Sequence, residues 1–265
     1  MKEIATVISN RNRQVTPLET IAAVKAAGFG NVFIQWYNED WPVSQEEQLK
    51  CIQALGLNVI FAHLGYYKQV NCIWDDTKEG DILIDKYRTD LDTCAKNGIP
   101  MVILHPVHKA PALPPCESGL YRLQRLTAHA KELNIKIALE NTFLEGYLEY
   151  ILANLKDENL GLCFDSGHYH AYFDDRFDLN FCSNRIFAVH LHDNDGVGDQ
   201  HLLPFDGTTE WEPLVRNLKL GGFDSHIALE PSYRKKYLEL GLTEFYKKAY
   251  ERGEKLAELF EKAII

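Results

Sequence analysis

The sequence predicts an α/β protein that folds as one (β/α)8 barrel over residues 1–265. Apolar, strand-like runs alternate with amphipathic, helix-like stretches about eight times, at about 33 residues per unit. The strand-like runs are apolar throughout, which is typical of a parallel sheet that is covered on both faces. No linker or shift in composition divides the chain, so we expect a single domain.

The first two units carry clear signals for where each element begins. We expect a strand from Ile4 to Ile8, after which Thr16 to Glu19 combines an N-cap, a proline in the first turn and a capping-box glutamate. A second strand should cover Asn31 to Gln35. A helix that starts at Ser44 should end near Gly56.

Three strands are expected in the middle of the chain, and a polar side chain follows each of them. They cover Leu57 to Phe61, Met101 to Leu104 and Ile135 to Leu139, and they deliver His63, His105 and Glu140 in that order. The helix before the last of these strands repeats leucine at the spacing of one helical face. The strand-and-helix unit therefore continues through this region.

The last three strands repeat the arrangement. The sixth strand covers Leu160 to Phe164 and is followed by Asp165. The seventh is the apolar run that begins at Ile186, and it carries His190 and His192. The eighth covers His226 to Leu229 and is followed by Glu230. His190 and His192 are two residues apart, so they lie on the same face of the pleat. We expect the segment from Thr209 to Glu212 to begin the helix after the seventh strand.

Composition and charge narrow the range of partners. The formal net charge is -10, from 28 Lys and Arg against 38 Asp and Glu, which argues against a nucleic-acid partner. No apolar run approaches the roughly 20 residues that span a bilayer, and the N-terminal segment does not resemble a signal peptide. We therefore expect a cytoplasmic protein without a membrane partner. The six cysteines form no CxxC pair, so we expect reduced thiols.

The strand ends carry the candidate chemistry. In a (β/α)8 barrel the carboxyl ends of the strands open onto one mouth, so the polar residues that follow them should meet there. Burying Glu140, Asp165 and Glu230 close together would be costly unless a cation neutralised them. Imidazole and carboxylate are also the donors that divalent metals bind. The sequence thus predicts a divalent metal site, although His63 and His105 could instead position a substrate hydroxyl.

Five motifs in chain order carry a family resemblance. They are Leu-Glu-Asn-Thr at 139–142, Phe-Asp-Ser-Gly-His at 164–168, His-Leu-His-Asp-Asn-Asp-Gly at 190–196, Asp-Gln-His at 199–201 and Leu-Glu-Pro at 229–231. Together they resemble the xylose isomerase-like TIM-barrel superfamily, which includes sugar and sugar-phosphate isomerases and epimerases, inosose dehydratases and endonuclease IV. The resemblance covers essentially the whole chain.

Resemblance to the epimerases implies a reaction and a set of roles. The metal ligands would be Glu140, Asp165, His190 and Glu230, with His192 as the alternative to His190, and the ion would be Mn, Zn, Co or Mg. Glu140 and Glu230 would also be the catalytic acid and base that move a proton on a small sugar, through a metal-stabilised enediolate. The residues expected to contact the substrate are His63, His105, His168 and Trp36.

Resemblance to endonuclease IV implies a different reaction. That family holds three zinc ions for phosphodiester hydrolysis at abasic DNA sites, and its ligand types have counterparts at His63, His105, Glu140, Asp165, His168, His190, Asp199, His201 and Glu230. Of these, His168, Asp199 and His201 would form a second metal site. Three departures from endonuclease IV favour the sugar enzyme. The loop after Glu140 differs, and residues 63–66 read His-Leu-Gly-Tyr in place of His-Ala-Pro-Tyr. The sequence also lacks the basic, aromatic-interleaved loops that would bind DNA.

Other features leave alternatives open. A metal-binding barrel without catalysis is a third interpretation, and the sequence does not decide whether the barrel forms a homo-oligomer. Arg11 is a candidate for binding an anionic group. Aromatic residues in the expected mouth loops could stack on a sugar ring or simply pack as a lid; they are Trp36, Tyr37, Tyr66, Tyr67, Trp74 and Phe143.

Overall fold

Parallel strands alternate with helices throughout the protein, in a computed structural model that describes residues 2–9, 15–36, 43–66, 68–173, 179–182 and 184–263. The strands are β1 Ile4–Ile8, β2 Asn31–Trp36, β3 Asn58–Leu64, β4 Met101–Leu104, β5 Lys136–Glu140, β6 Leu160–Asp165, β7 Ile186–His190 and β8 Ile227–Leu229. The α-helices are α1 Pro17–Ala26, α2 Gln45–Ala54, α3 Lys78–Lys96, α4 Glu117–Glu132, α5 Tyr147–Asn154, α6 Ser166–Tyr172, α7 Trp211–Leu220 and α8 Leu242–Lys262. Short 3-10 helices cover Val70–Trp74, Leu179–Cys182 and Lys235–Leu240.

The sheet closes on itself. Strands β1 to β7 pair in parallel in chain order, and β1 also pairs with β8. The remaining gap, between β7 and β8, is bridged just beyond β7, where the Leu191 amide donates to the Ala228 carbonyl at 2.8 Å and the Glu230 amide donates to Leu191 at 3.0 Å. The predicted (β/α)8 barrel is therefore confirmed.

Local signals account for most element boundaries, with two differences from the sequence prediction. Thr16 caps α1 through a complete capping box with Glu19. β3 extends to Leu64 because its residues pair with β2 as far as Trp36, so His63 lies within the strand and not after it. The short helix α6 is an addition, and its N-cap is the carboxylate of Asp165.

Two cores lie on opposite sides of the sheet. The larger core packs the outer faces of the strands against the helices. The smaller core fills the barrel interior with Ala5, Val7, Phe33, Phe61, Met101, Ile103, Ala138, Cys163, Ala188 and Ala228. Because side chains on a strand alternate between its faces, a residue two positions beyond an interior residue also faces the interior.

This alternation positions the site. The residues two positions beyond the interior side chains of seven strands are Gln35, His63, His105, Glu140, Asp165, His190 and Glu230. All seven are at most 6% exposed. The polar set is thus the next layer of the same packed interior, at the carboxyl ends of the strands.

All six cysteines are free thiols, as expected from their spacing. Burial raises the pKa of Cys94 to about 12, so this thiol is un-ionised at neutral pH. Across the described ranges, every helix is too short or too polar to cross a lipid bilayer.

Gly119 provides a test of the packing between α4 and the loop after β3. A Cβ at this position would overlap the ring of Trp74, whereas a Cβ on Gly30 would meet nothing within 4 Å. We expect Gly119→Ala to lower the free energy of unfolding by about 1–3 kcal/mol, because the buried Trp74 ring has no room to move. Gly30→Ala should change it little. Urea denaturation of both variants checks this, and equal stability of the two would contradict the described packing.

Candidate functional site

The polar strand ends surround a cavity of about 280 Å³ at the mouth of the barrel. Its lining includes His63, His105, Glu140, His168, Asp199, His201 and Glu230, all of which the sequence analysis selected. His108, Phe143 and Arg234 complete the lining. A larger cavity of about 790 Å³ lies at the opposite end, among residues such as Asn31, Asn58 and Lys136. We assign the site to the smaller cavity because it gathers the imidazoles and carboxylates.

His190 lies at the centre of this group and is fully buried. Its Nδ1 is 3.3 Å from Glu140 Oε2 and 3.8 Å from both Asp165 Oδ2 and Glu230 Oε2. Neither ring nitrogen has a hydrogen-bond partner among the described residues. The ring stacks on Phe33, with centroids 5.0 Å apart, so its orientation is set by packing.

Glu140 is enclosed by histidines. Its carboxylate oxygens are 2.8 Å from His63 Nε2, 3.3 Å from His105 Nε2 and 3.2 Å from His168 Nδ1. Burial raises the pKa of Glu140, but the nearby imidazoles outweigh burial and hold the pKa well below its ordinary value. Burial lowers the pKa of His105 to about 4. At neutral pH Glu140 is therefore a carboxylate beside a neutral His105.

Asp165 is held by its neighbours in two ways. Its Oδ1 accepts a hydrogen bond from the His168 amide at 2.7 Å, which is the N-cap of α6. Its backbone exchanges two hydrogen bonds with the side chain of Asn141, at 2.7 and 2.9 Å. Oδ2 is then left facing His190 and His192, 3.8 and 3.2 Å away. Asn141 follows Glu140 directly, but no role was predicted for it from the sequence.

Glu230 is supported by a different set of groups. Gln35 Nε2 donates to Glu230 Oε1 at 3.3 Å, and Ser9 Oγ donates to Gln35 Oε1 at 2.8 Å. His201 Nδ1 donates to the backbone carbonyl of Glu230 at 2.8 Å. Gln35 was not among the site residues predicted from the sequence, although its position two residues after the interior Phe33 was a usable signal.

A second group of side chains surrounds Asp199. Its Oδ2 is 2.9 Å from His201 Nε2 and 3.7 Å from His168 Nε2, and its Oδ1 is 3.7 Å from His192 Nε2. His168 Nδ1 donates to the Asn141 carbonyl at 2.8 Å, as His201 Nδ1 does to Glu230. Both rings therefore direct Nε2 toward Asp199, the arrangement by which backbone carbonyls orient metal-binding histidines.

The loop after β7 is held by side chains that do not line the cavity. Asp193 accepts hydrogen bonds from the amides of Asn194, Phe205 and Thr209 and from the indole of Trp211. Asp195 accepts from the Val197 amide and from Gln200. These two carboxylates shape the loop, whereas Asp199 lies at the cavity.

Within the part of the chain that the structure describes, four groups of three side chains have ligand atoms within 4.8 Å of one another, so each could hold a cation. They are His63, Glu140 and His190; Asp165, His190 and Glu230; Glu140, Asp165 and His168; and His192, His201 and Glu230. Two ligands of one small divalent ion lie about 3.3 Å apart when its bonds are about 2.0–2.1 Å. The spacings around His190 are close to that value, and the donors are those that divalent metals accept. The residues therefore fit a metal ion. His168 and His201 fall into different groups, so the second metal site predicted at His168, Asp199 and His201 is less compact than the first.

Some of the aromatic residues expected at the mouth line the cavity and others do not. Phe143 lines the cavity. Trp36 does not: it is buried in the outer core, and its indole donates to Asp90 on α3 at 3.1 Å. The prediction that Trp36 contacts the substrate is therefore corrected, because Trp36 is one residue beyond Gln35 and faces the helices. Trp74 and Tyr66 also pack into the outer core, while Arg11, Tyr37 and Tyr67 lie outside the described residues.

Comparisons with known proteins agree with this fold. A family model described as xylose isomerase-like TIM barrel matches residues 21–261. An inosose isomerase from Bacillus licheniformis is 26% identical over 195 residues, which cover 66% of this chain and 69% of that protein. Matches to two uncharacterized relatives span only 62% and 43% of the lengths of those proteins.

Solved structures extend the likeness over almost the whole chain. A structure titled IOLI protein with a binding zinc atom has a TM-score of 0.78 at 17% identity, with 100% of this chain and 99% of that chain covered. An L-ribulose 3-epimerase has a TM-score of 0.74 at 16% identity, with 99% and 96% covered. At these identities the likeness establishes the fold alone.

The pKa values of the histidines around the carboxylates determine how the stability of the metal-free protein should depend on pH. Burial lowers the pKa values of His168, His190 and His192, but nearby carboxylates, chiefly Asp165 and Glu140, outweigh it and raise all three, that of His192 to about 9. A histidine whose pKa is raised in the folded state stabilises the metal-free protein fully at pH values below its ordinary pKa of 6.5. This contribution is lost as the pH rises through the raised pKa. We expect the melting temperature in EDTA to fall between pH 7 and 9.

A cation should have the opposite pH dependence, since it competes with protons for the imidazoles. The rise in melting temperature on adding Mn²⁺ or Zn²⁺ should therefore be larger at pH 8.5 than at pH 6. His190→Asn should abolish most of that rise. His226→Asn, at the opposite end of the barrel, should keep it. A metal-induced rise that shrinks with increasing pH would contradict this assignment.

Proposed function

The chain belongs to the xylose isomerase-like TIM-barrel family, and on that basis we propose that it is a divalent-metal-dependent isomerase or epimerase of a small sugar or sugar derivative. The observation that carries the proposal is the contact of one fully buried imidazole, His190, with carboxylates from three other strand ends. The inosose isomerase and L-ribulose 3-epimerase likenesses support the reaction class. The zinc atom named for the IOLI structure supports the use of a metal.

The metal would be held by Glu140, Asp165, His190 and Glu230. His190 is favoured over His192 because it faces three carboxylates at once, whereas His192 faces Asp165 and Asp199. A bound Mn, Zn, Co or Mg ion would polarise the carbonyl and hydroxyl oxygens of the sugar and so acidify the C–H bond between them.

Glu140 and Glu230 are the proposed acid and base. Each is a buried carboxylate at the cavity, and each has an oxygen fixed by a neighbour, His63 for Glu140 and Gln35 for Glu230. A fixed carboxylate can remove a proton from a substrate carbon with little reorganisation. The neutral imidazole of His105 and the ring of His63 are placed to hydrogen-bond substrate hydroxyls at the same cavity.

The size of the cavity agrees with a small substrate. At about 280 Å³ it lies near the lower end of the range for ligand sites. Phe143 is the described aromatic ring in its lining and is suited to pack on one face of a sugar.

Phosphodiester hydrolysis at abasic DNA is the second candidate. The observation in its favour is that Asp199, oriented between His168 and His201, extends the ligand set beyond the four residues of the first site. Nicking of an abasic-site duplex by the metal-loaded protein, lost in both Glu140→Gln and His201→Asn, would raise hydrolysis above isomerisation. A non-catalytic metal-binding barrel remains the third alternative.

Solvent exchange tests the first proposal. Protein stripped of metal and then supplied with Mn, Co, Mg or Zn should exchange a C–H proton of at least one ketose or inosose with deuterium. We expect Glu140→Gln and Glu230→Gln each to reduce the exchange rate at least about 100-fold, because each removes a proton-transfer group and a metal ligand.

A matched control is Glu254→Gln, an exposed position on α8, which should exchange at the wild-type rate. Absence of exchange across sugars, sugar phosphates and inososes with every metal would refute the isomerase assignment. Metal binding without exchange or nicking would favour the non-catalytic barrel.

A further inference from the structure

The cavity divides into an acidic floor and a rim with a different character. Its floor holds Glu140, Glu230 and the adjoining Asp165, each at most 3% exposed. The rim holds Phe143 and Arg234, both partly exposed. Among the described lining residues, Arg234 is the one that carries a permanent positive charge.

Arg234 is held at the rim by the segment that follows Glu230 and by the segment that carries His201. It follows Glu230 by four residues, and the amide of Ser232, between them, donates to the His201 carbonyl at 2.9 Å. Its own Nη2 donates to the carbonyl of Gln200 at 3.2 Å. These contacts keep Arg234 at the cavity, whose lining it shares with Asp199 and His201.

A second positively charged side chain, that of Lys109, lies at the same rim. Lys109 Nζ is 4.7 Å from the centroid of the Phe143 ring. The loop that carries Lys109 is fixed by Asn71, whose side chain accepts from the His108 amide at 2.8 Å and donates to the Lys109 carbonyl at 2.9 Å. Positive charge at the rim is thus built into ordered segments of a chain whose formal net charge is -10.

We propose that Arg234 binds an anionic group of the substrate, a phosphate ester or a carboxylate, and that the enzyme acts on an anionic sugar derivative. This inference rests on the proposed function, because it takes the carbonyl end of the sugar to lie at the acidic floor. An anionic group would be repelled by the carboxylates there and would be stabilised at the rim. The planar guanidinium matches the oxygens of phosphate and carboxylate in two parallel hydrogen bonds.

Binding measurements on Mn²⁺-loaded protein test this without requiring turnover. The probes are D-ribulose, D-ribulose 5-phosphate and 5-keto-D-gluconate, titrated by calorimetry. We expect one of the two anions to bind at least about tenfold more tightly than D-ribulose. Which of them does so distinguishes a phosphate ester from a carboxylate.

Variants of Arg234 test whether this side chain causes the preference for an anionic sugar. Arg234→Gln should weaken binding of the preferred anion about 10- to 100-fold, the range for a hydrogen-bonded charge pair, and change D-ribulose binding less than about threefold. Arg234→Lys should retain part of the preference and carries the test if Arg234→Gln does not fold. Arg216→Gln, an exposed arginine on α7, is the matched control and should bind as wild type.

The outcomes separate this inference from the proposed function. Equal binding of D-ribulose and both anions, binding of none of them, or a preference that survives Arg234→Gln would overturn the inference. Failure of deuterium exchange alone would not, since an anion that binds through Arg234 without exchange counts against the isomerase and not against the anion site.

Discussion

Glu140, Asp165 and Glu230 are buried together around His190, and the rest of the mouth is arranged to make that burial tolerable. Three carboxylates that are at most 3% exposed repel one another strongly in a medium that screens poorly. The surrounding imidazoles and Glu140 stabilise each other's charged forms, which is why the pKa of Glu140 is lowered while those of His168 and His190 are raised. A divalent cation would neutralise the same carboxylates more completely and would compete with protons for the imidazoles.

The barrel interior prepares a floor for this site. Directly beneath Glu140, Asp165, His190 and Glu230 the interior residues are small: Ala138, Cys163, Ala188 and Ala228. The space is filled from the opposite side of the barrel by Phe33 and Phe61, whose rings lie 5.0 and 5.6 Å from His190. This asymmetry lets the aromatic rings support the imidazole while the four proposed ligands approach one another.

The sequence predicted the fold and most of the site because both follow from one periodicity. The positions of strand ends such as Glu140 and Glu230 can be predicted from the sequence, because each follows an apolar run. The side chain that ends such a run faces either the barrel mouth or the surrounding helices. Which of the two it faces depends on a shift of one residue. Trp36 was misassigned and Gln35 overlooked for that reason. The part that Asp193 plays in shaping the loop after β7 could not be predicted either, because it depends on amides that are distant in sequence.

In the proposed site, one cation is bound by Glu140, Asp165, His190 and Glu230. The most direct measurement is anomalous diffraction at the manganese edge from crystals of the Mn²⁺-loaded protein. We expect a peak about 2.0–2.4 Å from one donor atom of each of the four side chains. A peak held by Asp199 and His201 alone, or no ordered peak at the mouth, would contradict it.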